Sequence, residues 1–217
     1  YHTEMIRRHY PELFDKMRDK IATGQYEPGG AVWVECDCNM VSGESLVRQF
    51  LWGQKYNQKH FGLRSNNFWL PDTFGYNAAI PQIMRGSGVR YFFTTKLSWN
   101  DTNIFPHDTF WWEGLDGSRV FTHFNATHCE PDPETLLRYT VGNDDPTFTQ
   151  ESKDKHVSRR KLIAYGYGDG GGGPQFEHLE LVRREHDLDG CPRTEHRSVG
   201  EFAEEMERNA HDVPVHA

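Results

Sequence analysis

The sequence predicts an α/β fold with a mostly parallel sheet, in which short buried strands alternate with helices. Residues 31–34 form an apolar run without polar alternation, as is typical of a strand buried on both faces. Residues 68–70 and the Phe- and Tyr-rich run at 89–95 are the second and third predicted strands. Helical patterns over residues 43–60 and 78–85 separate these runs. Strands joined by helices at such short spacings pair in parallel through right-handed crossovers. All 217 residues are expected to form one such domain.

Two helices precede the first predicted strand. Apolar residues recur at helical spacing over residues 4–22, and Pro11 is expected to divide this segment into two shorter helices. Residues 24–30 are predicted to turn. After the strand, Ser42 is expected to cap the helix at residues 43–60.

Three oxygen-bearing side chains follow the strand at residues 31–34. Glu35, Asp37 and Asn39 point the same way if the chain stays extended, because alternate side chains then share a face. Such a set is typical of a site that faces a sugar or a cation, and a solvated loop would look the same. Both interpretations stay open, and Asp37 is a candidate substrate-binding residue.

A lone carboxylate, Asp72, stands where the chain leaves the second predicted strand. Pro71 cannot donate a ladder hydrogen bond, Gly75 supplies a tight turn, and Asn77 is expected to cap the next helix. Asp72 is therefore predicted to lie at the carboxyl end of a strand, where α/β proteins usually have their active sites. The alternative is an aspartate that only caps the following turn.

Lys96 occupies the corresponding place after the third predicted strand. A lysine there is either a solvated strand end or a side chain that reaches the same site as Asp72. The predicted parallel topology brings Asp72, Lys96 and residues 35–39 to one edge of the sheet. This convergence is the main argument from the residues themselves for a functional site.

An aromatic hairpin is predicted in the middle of the chain. Asp116-Gly117 lies between the aromatic or β-branched runs 110–114 and 120–124, which is a hairpin signal. Trp111 and Trp112 could form a wall on which a sugar ring stacks. Alternatively, because they occupy alternating positions, one of the two belongs to the core.

A glycine run follows the last predicted strand. Residues 140–160 are charged and predict a surface excursion, and residues 161–167 predict the strand. The run at 168–174 contains Asp169 and would bring backbone amides close to a ligand. A flexible linker is the alternative interpretation. The remaining predictions are helices at 175–186 and 199–209 and an extended segment at 213–215.

Composition limits the kinds of partner. The net charge of −8 makes a nucleic acid or an anionic membrane an unexpected partner, while 13% aromatic residues suit a neutral polyol such as a sugar. No apolar run approaches the ~20 residues of a membrane span, and the first residues lack the apolar centre of a signal peptide. The four cysteines include no Cys-x-x-Cys pair, so reduced thiols and a cytoplasmic location are expected. A homo-oligomer stays open.

Several stretches resemble the class II α-mannosidases, glycoside hydrolase family 38, most of all their cytosolic and bacterial branch. They are Trp33-Val34-Glu35 with Asp37 and Asn39, residues 42–49, 69–76, 81–83 and 96–100, Trp112-Glu113-Gly114 with 116–118, and 168–174. The resemblance implies an internal fragment of that family's N-terminal catalytic domain, with part of a seven-stranded β/α barrel.

What the resemblance implies about function is a retaining α-mannosidase that acts on mannose-containing oligosaccharides, with one zinc ion in its site. By the motif match, Asp72 is the nucleophile and also a metal ligand. Lys96 falls where related enzymes carry a basic residue, which would keep Asp72 ionised. Asp169 is a candidate for contact with substrate or metal. A retaining mechanism also needs a second carboxyl ~5 Å from the nucleophile.

The sequence departs from the family pattern in two ways. It contains no His-x-Asp triplet, the family's metal-binding pair, so we expect an internal piece of a larger enzyme that has little activity alone. The general acid should follow the strand ending at Phe124, where the available carboxyls are Glu130 and Asp132. Two other classes stay open, a non-catalytic carbohydrate-binding remnant and a metal hydrolase like the polysaccharide deacetylases on a similar barrel.

Overall fold

The computed structural model describes residues 1–100, 102–142, 152–169 and 172–217. In these ranges, the chain forms both helices and strands, as expected for an α/β fold. The helices are α1 (His2–His9), α2 (Pro11–Ala22), α3 (Gly43–Phe61), α4 (Ile80–Gly86), α5 (Pro133–Thr140), α6 (Phe176–Glu185) and α7 (Val199–Asn209). The strands are β1 (Asn67–Trp69), β2 (Tyr91–Thr94), β3 (Thr109–Glu113), β4 (Arg119–Phe124), β5 (Ala126–Cys129), β6 (Ile163–Tyr165) and β7 (Val215–His216).

The sheet is mainly parallel, as predicted. Five strands lie in the order β1-β2-β4-β3-β7, and only the β3–β4 hairpin pairs antiparallel within it. β5 and β6 form a second, parallel pair. The α/β class is therefore confirmed. Closure into a barrel is not among the described pairings, so the barrel stays a prediction.

The apolar core lies on both faces of the larger sheet. Phe92 on β2 packs with Phe68 and the residues of α3 and α4, whereas Tyr91 and Phe93 point to the opposite face and pack with Phe202 of α7. Two-sided burial explains why this strand lacks polar alternation in the sequence. Partly buried Trp112 and Trp111 pack against these two clusters respectively, which favours the core interpretation for both.

The predicted helix start at Pro11 and the predicted cap at Ser42 are confirmed in α2 and α3. Pro11 is the first residue of α2 and separates it from α1. The side chain of Ser42 accepts a hydrogen bond from the Ser45 amide at the start of α3. α3 ends at Gly62, whose φ of 71° is the left-handed conformation that glycine adopts without steric cost. Within the described ranges, no helix combines the length and apolar character needed to cross a membrane.

The predicted strand at residues 31–34 is wrong, because this segment bends along α3 instead. The backbone amide of Trp33 donates to the carbonyl of Gln49, and that of Val34 donates to the Gln49 side chain. Gly53 of α3 makes this approach possible, since a Cβ atom there would overlap the Ala31 carbonyl. With the amides of Trp33 and Val34 bonded to a helix, and that of Val32 to Gly30, these donors are not available to a sheet ladder.

The predicted surface excursion at 140–160 is confirmed only in part, because Lys155, His156, Arg159 and Arg160 are exposed whereas other residues of the segment are buried. Residues 143–151 lie outside the described ranges. Asp154 is buried, and its carboxylate accepts hydrogen bonds from the amides of Asp108 and Thr109 at 2.7 and 3.0 Å. Lys161 contacts Asp108 at 3.0 Å. Burial alone would raise the pKa of Asp108, but the charge and hydrogen bond of Lys161, together with His123 and the Asp154 amide, lower this pKa to about 2. These pairs tie the segment before β6 to the start of β3.

Candidate active site

The carboxyl ends of β1 and β2 lie side by side and bring Asp72 and Lys96 together. The two strands pair in parallel, with Trp69 opposite Phe93. Nζ of Lys96 lies 2.8 Å from Oδ1 of Asp72. The side chain of Lys96 is only 6% exposed, whereas that of Asp72 is 46% exposed. The pair is therefore open to solvent on the carboxylate side alone.

Tyr76 joins the two strand ends that carry this pair. Its hydroxyl donates to the carbonyl of Leu70 at 2.9 Å and lies 2.5 Å from the Thr94 hydroxyl. Burial raises the pKa of Tyr76, so the hydroxyl stays protonated and keeps its donor role. Leu70 stands two residues before Asp72, and Thr94 stands two residues before Lys96. Sequence reasoning assigned Tyr76 no role, because its two partners come from different strands.

The acidic loop at residues 35–39 packs on the loop that follows Asp72. Asn77 donates from its side chain to the carbonyl of Cys38 at 2.6 Å. Gly75 has a φ of 119° and leaves room for Asn39, since a Cβ atom there would overlap the Asn39 amide. The predicted proximity of residues 35–39 and the Asp72 loop is therefore confirmed, although the segment before them is not a strand.

Asp37 itself is exposed and shapes its own turn. Its Oδ1 accepts hydrogen bonds from the amides of Asn39 and Met40 at 2.8 and 2.6 Å. Glu35, Asp37 and Asn39 are exposed while Cys36 and Cys38 are buried, which is the alternation that the sequence predicts. One oxygen of Asp37 is thus engaged locally, and its contact with substrate stays a prediction.

Asp169 follows β6 in the glycine run at 168–174, of which residues 170 and 171 lie outside the described ranges. On either side of that gap, Tyr167 and Gly173 exchange reciprocal backbone hydrogen bonds at 3.0 and 2.7 Å. Gly166, with a φ of 119°, has no room for a Cβ atom against Pro174. Asp169 itself has a φ of 49°, a left-handed backbone that non-glycine residues adopt infrequently. These contacts hold the described ends of the run together, and both the linker interpretation and the role of Asp169 stay predictions.

The carboxyl of Asp132 caps α5. It accepts hydrogen bonds from the amide and the hydroxyl of Thr135, at 3.0 and 2.7 Å. Burial acts to raise the pKa of Asp132, but the Thr135 hydrogen bonds outweigh it and the pKa is lowered. A general acid needs the opposite shift, so the structure disfavours Asp132 in that role. Glu130 is exposed.

The described residues do not form a zinc site by themselves. Structural and catalytic zinc sites use three or four protein ligands. In the described ranges, no group of three or more His, Cys, Asp or Glu side chains is placed to hold a metal. Asp72 is the one ligand that the sequence predicts, and its Oδ1 is engaged by Lys96.

A cavity of about 690 Å³ lies beside the carboxyl end of β1. Trp69, Leu70 and Pro71 form one wall, and residues including Trp33 and Glu35 form another. Asp72, one residue after Pro71, is not among the lining residues, so this cavity is not assigned as the substrate pocket. The side chain of Asp72 is instead half-exposed, and the Lys96 ammonium that contacts it also lies over the rings of Phe74 and Trp99.

The amino-acid sequence of the chain is similar to a known protein family and to several known proteins. The model of the family described as "Glycosyl hydrolases family 38 N-terminal domain" matches residues 1–217. "Alpha-mannosidase G" of Dictyostelium discoideum is 42% identical over 204 residues, which cover 94% of this chain and 18% of that protein. "Alpha-mannosidase 2C1" of Homo sapiens is 42% identical over 213 residues, covering 97% of this chain and 20% of that protein. The chain thus spans about a fifth of the length of these relatives.

The fold is shared with a solved structure. The crystal structure of an alpha-mannosidase from Enterococcus faecalis V583 matches with a TM-score of 0.71 at 17% identity. The match covers 96% of this chain and 24% of that chain. At this identity, the likeness concerns the fold alone.

Proposed function

The chain belongs to glycosyl hydrolase family 38, as part of that family's N-terminal domain, and we propose that the protein containing it is a retaining α-mannosidase. Its substrates would be oligosaccharides that carry α-linked mannose. Relatives at 42% identity that bear the name alpha-mannosidase support this proposal. Because the chain corresponds to about a fifth of those relatives, the activity is proposed for the whole protein.

The observation that carries the proposal is the half-exposed Asp72, paired at 2.8 Å with a buried lysine at the carboxyl end of β1. A nucleophile must be ionised and must keep one oxygen free for attack. Lys96 supplies the neighbouring positive charge and engages Oδ1. Oδ2 is then the oxygen that attacks the anomeric carbon.

In the proposed reaction, Oδ2 of Asp72 forms an ester bond to the anomeric carbon while the glycosidic bond breaks. The bonding electrons pass to the leaving oxygen, which takes a proton from an acid. Water then attacks the same carbon while the conjugate base of that acid takes a proton from the water. The ester bond breaks, its electrons return to Oδ2 of Asp72 as a carboxylate, and mannose leaves with its configuration retained. Asp132 is not proposed as the acid because it caps α5.

We further propose that Asp37 and Asp169 hydrogen-bond to sugar hydroxyls. Support for Asp37 comes from its exposure on a loop that packs against the Asp72 loop. Support for Asp169 comes from its place after the carboxyl end of β6, next to Tyr167, whose backbone pairs with that of Gly173.

We propose a zinc site whose ligands come partly from this chain and partly from the rest of the full-length protein. Asp72 would contribute one ligand, and the others would come from parts of the full-length protein outside residues 1–217. We also propose a cytoplasmic location, which the free thiols of Cys36, Cys38 and Cys191 support, since disulfides are rare in that compartment.

Replacement of Asp72 by asparagine tests the proposal. In the full-length protein, Asp72→Asn is expected to lower kcat for an activated α-mannoside by about a thousandfold or more, because the amide is a poor nucleophile. Asp15→Asn on exposed α2 is the matched control and should leave kcat unchanged. Normal turnover by Asp72→Asn would refute the assignment.

A carbohydrate-binding protein without catalysis is the second candidate. Two observations favour it, since Asp132 is committed to a helix cap and the described residues form no metal site on their own. Such a protein would bind mannose-containing oligosaccharides with an affinity that a chelator does not change, and it would release no free mannose. Stoichiometric zinc together with mannose release would favour the enzyme instead.

A further inference from the structure

The turn after β2 brings Lys96 and Trp99 onto the same face. Residues Lys96–Trp99 form a 3₁₀ helix, in which side chains three residues apart are eclipsed. Nζ of Lys96 accordingly lies 3.6 Å from the centroid of the Trp99 ring. The same nitrogen lies 2.8 Å from Oδ1 of Asp72. One ammonium group therefore contacts the ring and the carboxylate together.

The ring takes the place of water around the ammonium. The side chain of Lys96 is 6% exposed, although Trp99 and Asp72 are 47% and 46% exposed. A lysine ammonium is strongly hydrated and sits on a flexible stem with many rotamers, so its burial needs compensating contacts. An indole face is the best aromatic surface for such a contact. Phe74 adds a second ring, with its centroid 5.2 Å from Nζ.

Thr95 anchors this turn to the strand ends on both sides. Its amide donates to the carbonyl of Pro71 at 3.3 Å, immediately before Asp72. Its hydroxyl donates to the carbonyl of Asn125 at 2.7 Å, after β4. The amide of Ser98 donates to the Thr95 carbonyl at 3.0 Å and closes the turn. The position of Trp99 relative to Asp72 is therefore held by backbone contacts.

We propose that Trp99 is a positioning residue for the reaction at Asp72. Its ring face holds the Lys96 ammonium against Oδ1 of Asp72, which leaves Oδ2 aimed at the anomeric carbon. Trp99 acts through Lys96 and needs no contact with the sugar. This inference rests on the proposed glycosidase function and adds to it a residue that acts on the nucleophile's orientation.

A double-mutant cycle in the full-length protein tests whether Trp99 acts through Lys96. Trp99→Leu is expected to lower kcat about three- to tenfold with little change in KM, because it removes one cation–π contact. In a Lys96→Met background, the same change is expected to have no further effect on kcat. Trp99→Phe keeps a ring and should restore most of the loss. Equal losses in both backgrounds would overturn the inference, because Trp99 would then act independently of Lys96.

The chain offers a matched control on α3. Lys55 lies over the ring of Trp52, also three residues apart, with Nζ 5.8 Å from the centroid. Trp52→Leu removes a half-exposed tryptophan and a lysine contact of the same kind. This change should leave kcat unchanged, and a loss equal to that of Trp99→Leu would overturn the inference.

Nuclear magnetic resonance of protein labelled with ¹³C at the lysine ε-carbon supplies a readout independent of activity. Lys96 should give a resonance displaced upfield by the Trp99 ring current, absent in Lys96→Met and Trp99→Leu and retained in Trp52→Leu. If Trp99→Leu does not fold, Trp99→Phe should reduce both the displacement and kcat. A reduced kcat with an unchanged displacement would overturn the inference.

These readouts separate the two proposals. A displaced Lys96 resonance in a protein that releases no mannose would refute the glycosidase function and, with it, the positioning role, while leaving the contact itself established. Normal mannose release with no displaced resonance, or with full activity in Trp99→Leu, would refute the role of Trp99 alone.

Discussion

At the scale of single residues, buried hydroxyl and imidazole groups link the strands of the sheet to one another and to neighbouring segments by hydrogen bonds. Tyr76 shows this at the site, because one buried hydroxyl serves two neighbouring strands. His123 shows it beneath the site, where the imidazole is completely buried. Its Nε2 accepts from the Leu162 amide at 3.3 Å, and its Nδ1 lies 3.0 Å from the Thr109 hydroxyl.

Removal of the Tyr76 hydroxyl should loosen the strand ends. Tyr76→Phe leaves the Leu70 carbonyl and the Thr94 hydroxyl without this buried partner, which should cost about 1–3 kcal/mol of stability. The measurement is the denaturant midpoint of this domain's unfolding transition, followed in the full-length protein. Tyr10→Phe, at an exposed tyrosine, is the control. An unchanged midpoint for Tyr76→Phe would show that this hydroxyl does not stabilise the strand ends.

His123 should make the domain less stable in acid. Burial, followed by the charge of Lys161, lowers the pKa of His123 to about 3, whereas an unfolded histidine titrates near 6.5. Between these values the unfolded chain binds the extra proton, so stability is fully present above about pH 6.5 and falls with pH by up to about 1.4 kcal/mol per unit.

His123→Gln tests this dependence. The variant removes the titrating group, so the loss of stability between pH 7 and pH 5 should be smaller than in the unchanged protein. The same comparison with the exposed His211→Gln should show no difference from the unchanged protein. An equal pH dependence in His123→Gln and the unchanged protein would contradict the role of this imidazole.

At the scale of elements, local signals explain which predictions succeeded. The cap at Ser42, the break at Pro11 and the Asp116-Gly117 turn each depend on residues close in sequence, and α3, α2 and the β3–β4 hairpin form where these signals predict. The strand predicted at residues 31–34 does not form, because the amides of Trp33 and Val34 pair with Gln49 of α3, a partner that periodicity does not reveal. β5 was not predicted, since its four residues pair with β6 more than thirty residues later.

Gly53→Ala tests the contact that replaces the predicted strand. Alanine inside a helix usually stabilises it by roughly 0.5–1 kcal/mol relative to glycine. At Gly53 the added Cβ atom would overlap the backbone of Ala31 and Val32, so a net loss of stability is expected instead. The control is Gly43→Ala in the first turn of α3, where a Cβ atom meets open space. A higher thermal midpoint for Gly53→Ala than for the unchanged protein would contradict this packing.

At the scale of the whole molecule, parallel pairing is what assembles the candidate site. β1 and β2 run side by side, so the residues that follow them share one sheet edge. This much follows from the sequence pattern, and Asp72 and Lys96 are brought together accordingly. The aromatic cover of Lys96 and the bridge through Tyr76 depend on the turn geometry after each strand, which residue patterns alone do not give.

The most direct test of the central claim is to trap the proposed ester on Asp72. The full-length protein would be treated with a slow α-mannoside analogue whose glycosyl-enzyme intermediate accumulates, and its peptides would be analysed by mass spectrometry. We predict one added sugar on the peptide that contains Asp72, and none in Asp72→Asn. A sugar attached to a different carboxylate, or mannose release by inversion without a covalent intermediate, would contradict the account.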